Sequence, residues 1–159
     1  MINRIKKLIK KKNLDGYIVP KNDKFFTEYS KISNLELVSN FSGSAGFGII
    51  LRNKNYLFVD GRYTIQAKKQ SGKNFRIYEI PLVWPKNLFK NTKYKSNIGF
   101  DPKLFTHNSL KNYFSNTCNL FPVNENLFIN KISKKLDKKQ FYKLSEKIVG
   151  ESSKSKVNR

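Results

Sequence analysis

Between Phe47 and Val59 the chain carries two apolar runs, Phe47-Gly-Ile-Ile-Leu-Arg52 and Tyr56-Leu-Phe-Val59, separated only by Asn53-Lys54-Asn55. A short polar break between two such runs predicts an antiparallel hairpin. The second run shows no polar alternation, so it belongs inside a sheet that is covered on both faces. Around this hairpin the pattern alternates. Ile2, Ile5, Leu8 and Ile9 recur at helical spacing opposite Lys6, Lys7, Lys10 and Lys11, which predicts an amphipathic surface helix closed by Asn13 to Gly16. Gly16 to Pro20, Phe75 to Ile80, Asn97 to Asp101 and Asn119 to Val123 read as strands. Arg62 to Gln70, a segment near Leu88 and Phe89, Thr106 to Phe114 and Leu127 to Ile132 read as helices, and Asp23 is placed as the cap of another through Phe25, Phe26 and Tyr29. Leu35 to Phe41 is too mixed to assign. In the helix from Arg62, Ile65 is taken to point inward and Asp60 to be the N-cap. Strands alternating with helices around one antiparallel hairpin give an α/β fold with a mixed β-sheet flanked by helices.

The chain has 159 residues, within the roughly 100–200 expected of one domain. The lone Cys118 can form no internal disulfide and suits a reducing cytoplasm. The basic start is followed by no apolar h-region, which argues against a secretory signal, and no run approaches the roughly 20 apolar residues of a membrane span. The net charge of +21 invites a nucleic-acid reading. However, the excess is 27 Lys against 5 Arg, beside 19 Asn and only 2 Ala, and it is spread along the chain. Arg is the residue that forks onto phosphate and stacks on bases. The charge is therefore read as compositional.

Catalytic chemistry finds few candidates. One His, one Cys, five Asp and six Glu are scattered without HExxH, DxD or CxxC spacing, so no metal ligand set is assigned. His107 is read as a cap or surface residue and Cys118 as a small buried apolar one. Ser42-Gly-Ser-Ala-Gly46-Phe-Gly48 is glycine-rich, yet it leads into a strand, where a phosphate-binding loop leads into a helix. Gly46-Phe47-Gly48 also echoes the RNA-recognition RNP1 pattern, but Ile49 and Arg52 stand where stacking rings belong.

Three ordered blocks carry a resemblance. They are Asp15-Gly-Tyr-Ile-Val-Pro20 with Asn22-Asp23 and Glu28-Tyr29, then Asn40-Phe-Ser-Gly-Ser-Ala-Gly46, then Val59-Asp-Gly-Arg-Tyr63 with Gln66-Ala67. Together they resemble the N-terminal domain of the Xaa-Pro aminopeptidases (aminopeptidase P), in the creatinase and prolidase group. Gly150 to Val157 resembles the start of the second domain of the long, three-domain members. The resemblance implies a ribonuclease H-like creatinase N-terminal domain over 1–148, with 149–159 as linker and start of a truncated second domain. It implies no cofactor in this chain and two divalent metal ions, manganese, in a full-length parent. There the metals are held in a C-terminal catalytic domain missing here. The implied partners are that domain, a second copy in a homodimer, and a peptide substrate reached through the parent enzyme. Nucleic acid and membrane are not among them.

On this reading the chain is a cytoplasmic, non-catalytic domain that aids substrate access and packing. The alternative from another class is a small basic RNA-binding protein. No catalytic residue is assigned. The candidates near substrate are Ser42, Ser44, Arg62, Tyr63 and Trp84, with Gly43, Gly46, Asp60 and Gly61 as turn and cap residues. Arg62 is open between an internal salt bridge and a peptide carboxylate, and Trp84 between an exposed anchor and a half-buried ring.

Overall fold

In a computed structural model, the described residues are 1–27, 33–90, 94–125, 127–128 and 144–159. The chain divides into two compact units, Met1–Ile129 and Asn130–Arg159. The first holds helix α1 (Ile2–Lys11), strand β1 (Gly16–Pro20), α2 (Asn34–Ser39), β2 (Gly46–Leu51), β3 (Asn55–Asp60), α3 (Thr64–Ser71), β4 (Arg76–Ile80), α4 (Pro85–Phe89), β5 (Asn97–Phe100), α5 (His107–Phe114) and β6 (Asn119–Pro122). The strands form one sheet in the order β4-β3-β2-β1-β5-β6.

Only β2 runs against the rest. It pairs antiparallel with β1 (Gly16 opposite Leu51, Pro20 opposite Phe47) and with β3 (Gly46 opposite Val59), while β3–β4, β1–β5 and β5–β6 are parallel. The carboxyl ends of five strands and the start of β2 therefore share one edge of the sheet. The apolar runs in the sequence dictate this arrangement. All five residues of β1 are buried, as are four of six in each of β2 and β3, so a single-faced sheet could not hold them.

Period-two alternation divides the core. Ile18, Phe47, Ile49, Tyr56, Phe58 and Ile98 pack with Phe89, Leu110 and Phe114 of α4 and α5. On the other face Ile5, Leu8 and Ile9 of α1 and Leu35 and Val38 of α2 are buried. There the Ser71 hydroxyl of α3 donates to the Ser39 carbonyl of α2 at 2.8 Å. The result is three layers, helices on both faces of a mixed sheet, as the alternation implied. Each fully buried large apolar side chain contributes on the order of 1.5–3 kcal/mol.

Several local expectations change. Ile65 is 83% exposed. A 3₁₀ turn over Gly61–Tyr63 precedes α3 and resets its phase, so Ala67 and Ser71, one turn apart, form the buried face. Asp60 caps that turn, accepting from the Arg62 amide at 3.0 Å. No helix forms over 23–27. Asp23 Oδ1 instead accepts from the amides of Phe25 (2.9 Å) and Thr27 (3.1 Å), a side-chain turn that competes with helix. Tyr29 lies outside the described residues. The unassigned stretch holds α2, opened by Ser33, whose hydroxyl accepts from the Glu36 amide. Of the helix expected over 127–132, Leu127 and Phe128 are buried and the rest lies outside the described residues.

In the second unit, helix Glu146–Val149 ends at Gly150, whose φ of 77° is the left-handed cap glycine favours. Helix Ser153–Val157 follows, capped by Ser152.

Candidate functional site

The strands' carboxyl edge gathers the candidate residues. Open α/β sheets bind ligands outside that edge. The loop from Phe41 to Gly46 crosses it tightly. A Cβ on Gly43 would sit 2.2 Å from Phe41 Cζ, and Gly46, at φ 152°, brings its backbone so close to β3 that a Cβ would meet the Phe58 carbonyl at 2.7 Å. Both positions thus require glycine.

This loop is tied to the next one. Ser44 Oγ and Tyr63 Oη are 2.8 Å apart, and the Tyr63 ring lies edge-on to buried Phe41 at 5.8 Å. Ser42 Oγ accepts from Gln66 Nε2 (3.0 Å) and Gln70 Nε2 (2.9 Å), and the Ser42 amide donates to Gln70 Oε1 at 3.0 Å. Arg62 Nε donates to Asp60 Oδ1 at 2.9 Å, and its guanidinium lies 5.4 Å from the Tyr63 ring centroid. The Arg62 side chain, then its backbone amide, holds the Asp60 carboxyl below the usual carboxylate range. Arg62 makes an internal salt bridge to Asp60, and its side chain is 72% exposed.

Trp84 belongs to a second group. It is half-buried and stacks on Tyr113 at 6.0 Å. Tyr113 stacks on Phe47 at 4.6 Å, and Phe47 on Phe58 at 5.0 Å. Burial raises the Tyr113 phenol. Beside this column lies a cleft of about 200 Å³ lined by Pro20, Asn22, Phe26, Phe47, Phe105 and Tyr113. Asn22 is held there, its Nδ2 donating to the Leu104 carbonyl at 3.0 Å. Sequence reasoning did not single out Tyr113 or Phe105. The available signal was the spacing of Leu110 and Phe114, four residues apart on one helical face, with the Tyr113 ring beside that face.

This chemistry suits holding rather than activating. The two serines bond to glutamines and a tyrosine, which is no nucleophile–base pair. His107 is exposed at the start of α5. Burial pushes the Cys118 thiol up to about 12. Among the described residues no three His, Cys, Asp or Glu side chains come together where they could hold a metal ion. These residues do not fit a metal centre, and no reaction step is assigned to them.

Comparison with known proteins decides the family. The model described as the Creatinase/Prolidase N-terminal domain matches residues 1–148. The chain belongs to the creatinase/prolidase N-terminal domain family. Within it, the chain is 33% identical over 168 aligned positions to a Coprinopsis cinerea protein named "Probable Xaa-Pro aminopeptidase P", covering 98% of this chain and 27% of that one. It is 32% identical over 111 positions to "Xaa-Pro aminopeptidase 1" of Dictyostelium discoideum, 66% of this chain and 18% of the other. The chain thus spans about a quarter or less of these relatives.

Among solved structures, a Caenorhabditis elegans X-prolyl aminopeptidase, described as a cytosolic enzyme with a di-nuclear active site, superposes with a TM-score of 0.67 at 23% identity. It covers 78% of this chain and 22% of that one. The N-terminal domain of the cytoplasmic peptidase PepQ from Mycobacterium tuberculosis gives a TM-score of 0.58 at 21% identity, over 77% of this chain and 91% of that domain. These likenesses show the creatinase/prolidase fold. The RNA-binding alternative gains no support, because the Phe47 ring of the RNP1-like stretch is only 3% exposed and stacked inward.

Proposed function

We propose that this chain is the non-catalytic N-terminal domain of a cytoplasmic Xaa-Pro aminopeptidase, and that the carboxyl edge of its sheet borders the path of a peptide to a separate catalytic domain. The supporting observation is where apolar surface is left uncovered. Phe25 and Leu82 are each 75% exposed, Phe26 54% and Ile65 83%. Leu82, Phe25 and Phe26 lie in the segments that leave β4 and β1, and Ile65 in the first turn of α3 after β3. Large apolar side chains left uncovered on the carboxyl side of the sheet suit an interaction surface. The Ser44–Tyr63 bond and the Trp84–Tyr113 stack hold segments at this edge against one another, which suits a wall that positions substrate. The same edge suits contact with a second copy in a homodimer.

The residue boundary at 148, with 149–159 as linker and start of the next domain, belongs to this proposal. So do the two divalent ions, manganese, which would be held by the catalytic domain and activate water there. The test is direct. Purified chain, supplied with manganese and a peptide with proline second, should release no N-terminal residue. Turnover that follows the chain through purification would overturn the non-catalytic assignment.

A further inference from the structure

At the opposite edge of the sheet, a cleft of about 340 Å³ lies between α1 and the end of β2, lined by Lys6, Ile9, Lys10, Asn13 and Arg52. The lysines are one helical turn apart and so share a face, where their like charges repel. Arg52 is fixed beside them, its Nε donating to the Leu14 carbonyl at 3.0 Å and its Nη2 lying 3.5 Å from Asp15 Oδ1. Asp15 is also engaged elsewhere, its Oδ2 accepting from the Asn97 amide at 2.8 Å.

The same helix shows what compensation looks like. Lys11 and Lys12 converge on Glu125 at 3.4 and 3.2 Å. Among the described residues, Lys6 and Lys10 have no such carboxylate. The amides of Lys12, Asn13 and Leu14 bond to the carbonyls of Leu8, Lys10 and Ile9 at the end of α1.

We infer that this cleft binds a small organic phosphate. Three cations against one carboxylate leave a surplus of two positive charges, which matches a phosphate monoester of roughly −2 at neutral pH. The stems of Lys6 and Lys10 offer apolar walls to the organic part while their ammonium groups meet the phosphate. The guanidinium N–H groups of Arg52 that are not turned to Leu14 or Asp15 supply planar donors to its oxygens. The volume is at the low end of small-molecule pockets, roughly 300–1,000 Å³. The inference is independent of the proposed peptidase role, since cleft and candidate site lie at opposite ends of the strands.

The experiment is an amide-resolved NMR titration of the whole chain with AMP, adenosine, inorganic phosphate and a single-stranded RNA of about twenty nucleotides. The expected result is saturable one-site binding of AMP, with shifts at Lys6, Lys10, Asn13 and Arg52 and none from adenosine. Inorganic phosphate should act at the same amides at least tenfold more weakly. The Lys6→Gln/Lys10→Gln variant should lose at least tenfold in AMP affinity, while Lys68→Gln/Lys69→Gln on α3 keeps it. Lys10→Gln alone, at an exposed position, carries the test if the double variant does not fold. No binding of AMP, equal loss in both double variants, or binding of RNA alone would overturn the site. Equal affinity for AMP and inorganic phosphate would overturn the assignment of an organic ligand.

Discussion

The hydroxyls of Ser44 and Tyr63, nineteen residues apart in the chain, meet at 2.8 Å and join the glycine loop before β2 to the 3₁₀ turn after β3. Both segments lie at the same edge of the sheet, and this bond, with the Phe41–Tyr63 ring contact and the bonds of Ser42 to Gln66 and Gln70, ties them together. Its loss is expected to cost about 0.5–1.5 kcal/mol. A double-mutant cycle of Ser44→Ala and Tyr63→Phe in urea unfolding should return a coupling of that size. Strictly additive single variants would show that the contact carries no energy.

Gly43 lies against the ring of Phe41, which is fully buried. Gly43→Ala should therefore destabilise the domain by about 1–3 kcal/mol through overpacking. Combining it with Phe41→Leu should cost less than the sum of the two changes. Thermal melts of the three variants check this, and a Gly43→Ala protein as stable as the parent would contradict it.

The Asp60 carboxyl is depressed because Arg62 donates to it from side chain and backbone. The sign follows from linkage. A carboxyl whose folded pKa lies below its unfolded value of about 3.9 stabilises the fold above that value, and this contribution is lost as pH falls through the folded pKa. Carbon-detected NMR titration should place its midpoint below 3.9. Between pH 6 and pH 2 the parent should lose more stability than Asp60→Asn. A midpoint at or above 3.9 would count against the Asp60–Arg62 pair in solution.

These contacts also show what a sequence can disclose. Asp60 and Arg62 are two residues apart, so their pairing is local and a capping role for Asp60 was legible, although it caps the 3₁₀ turn and Tyr63 stands at the N-cap of α3. Strand β1 matches the expected Gly16–Pro20 residue for residue, because an apolar run closed by glycine and proline has few other uses. Ile65 misled because a 3₁₀ turn shifts helical phase without any change in composition. Helix α2 has no clean periodicity and rests on the Ser33 cap and the burial of Leu35 and Val38, which only packing supplies. The Trp84–Tyr113–Phe47 stack joins three separate elements through the strand order, which no local pattern encodes.

Cys118 lies in the core cluster against α5, and burial raises its thiol to about 12. At pH 8 almost none is thiolate, the reactive form. A disulfide reagent should leave it unlabelled in the folded protein and label it fully in denaturant. Rapid labelling under native conditions would mean that this face of the core opens readily.

The role of the carboxyl edge can be read in a chimera in which this chain replaces the matching N-terminal segment of the Coprinopsis cinerea relative. Steady-state kinetics on a peptide with proline second should show Tyr63→Ala and Trp84→Ala raising KM several-fold, with kcat little changed and Lys68→Ala without effect. A chimera whose kinetics are the same with or without those rings would contradict the claim that this edge lines the way to the active site.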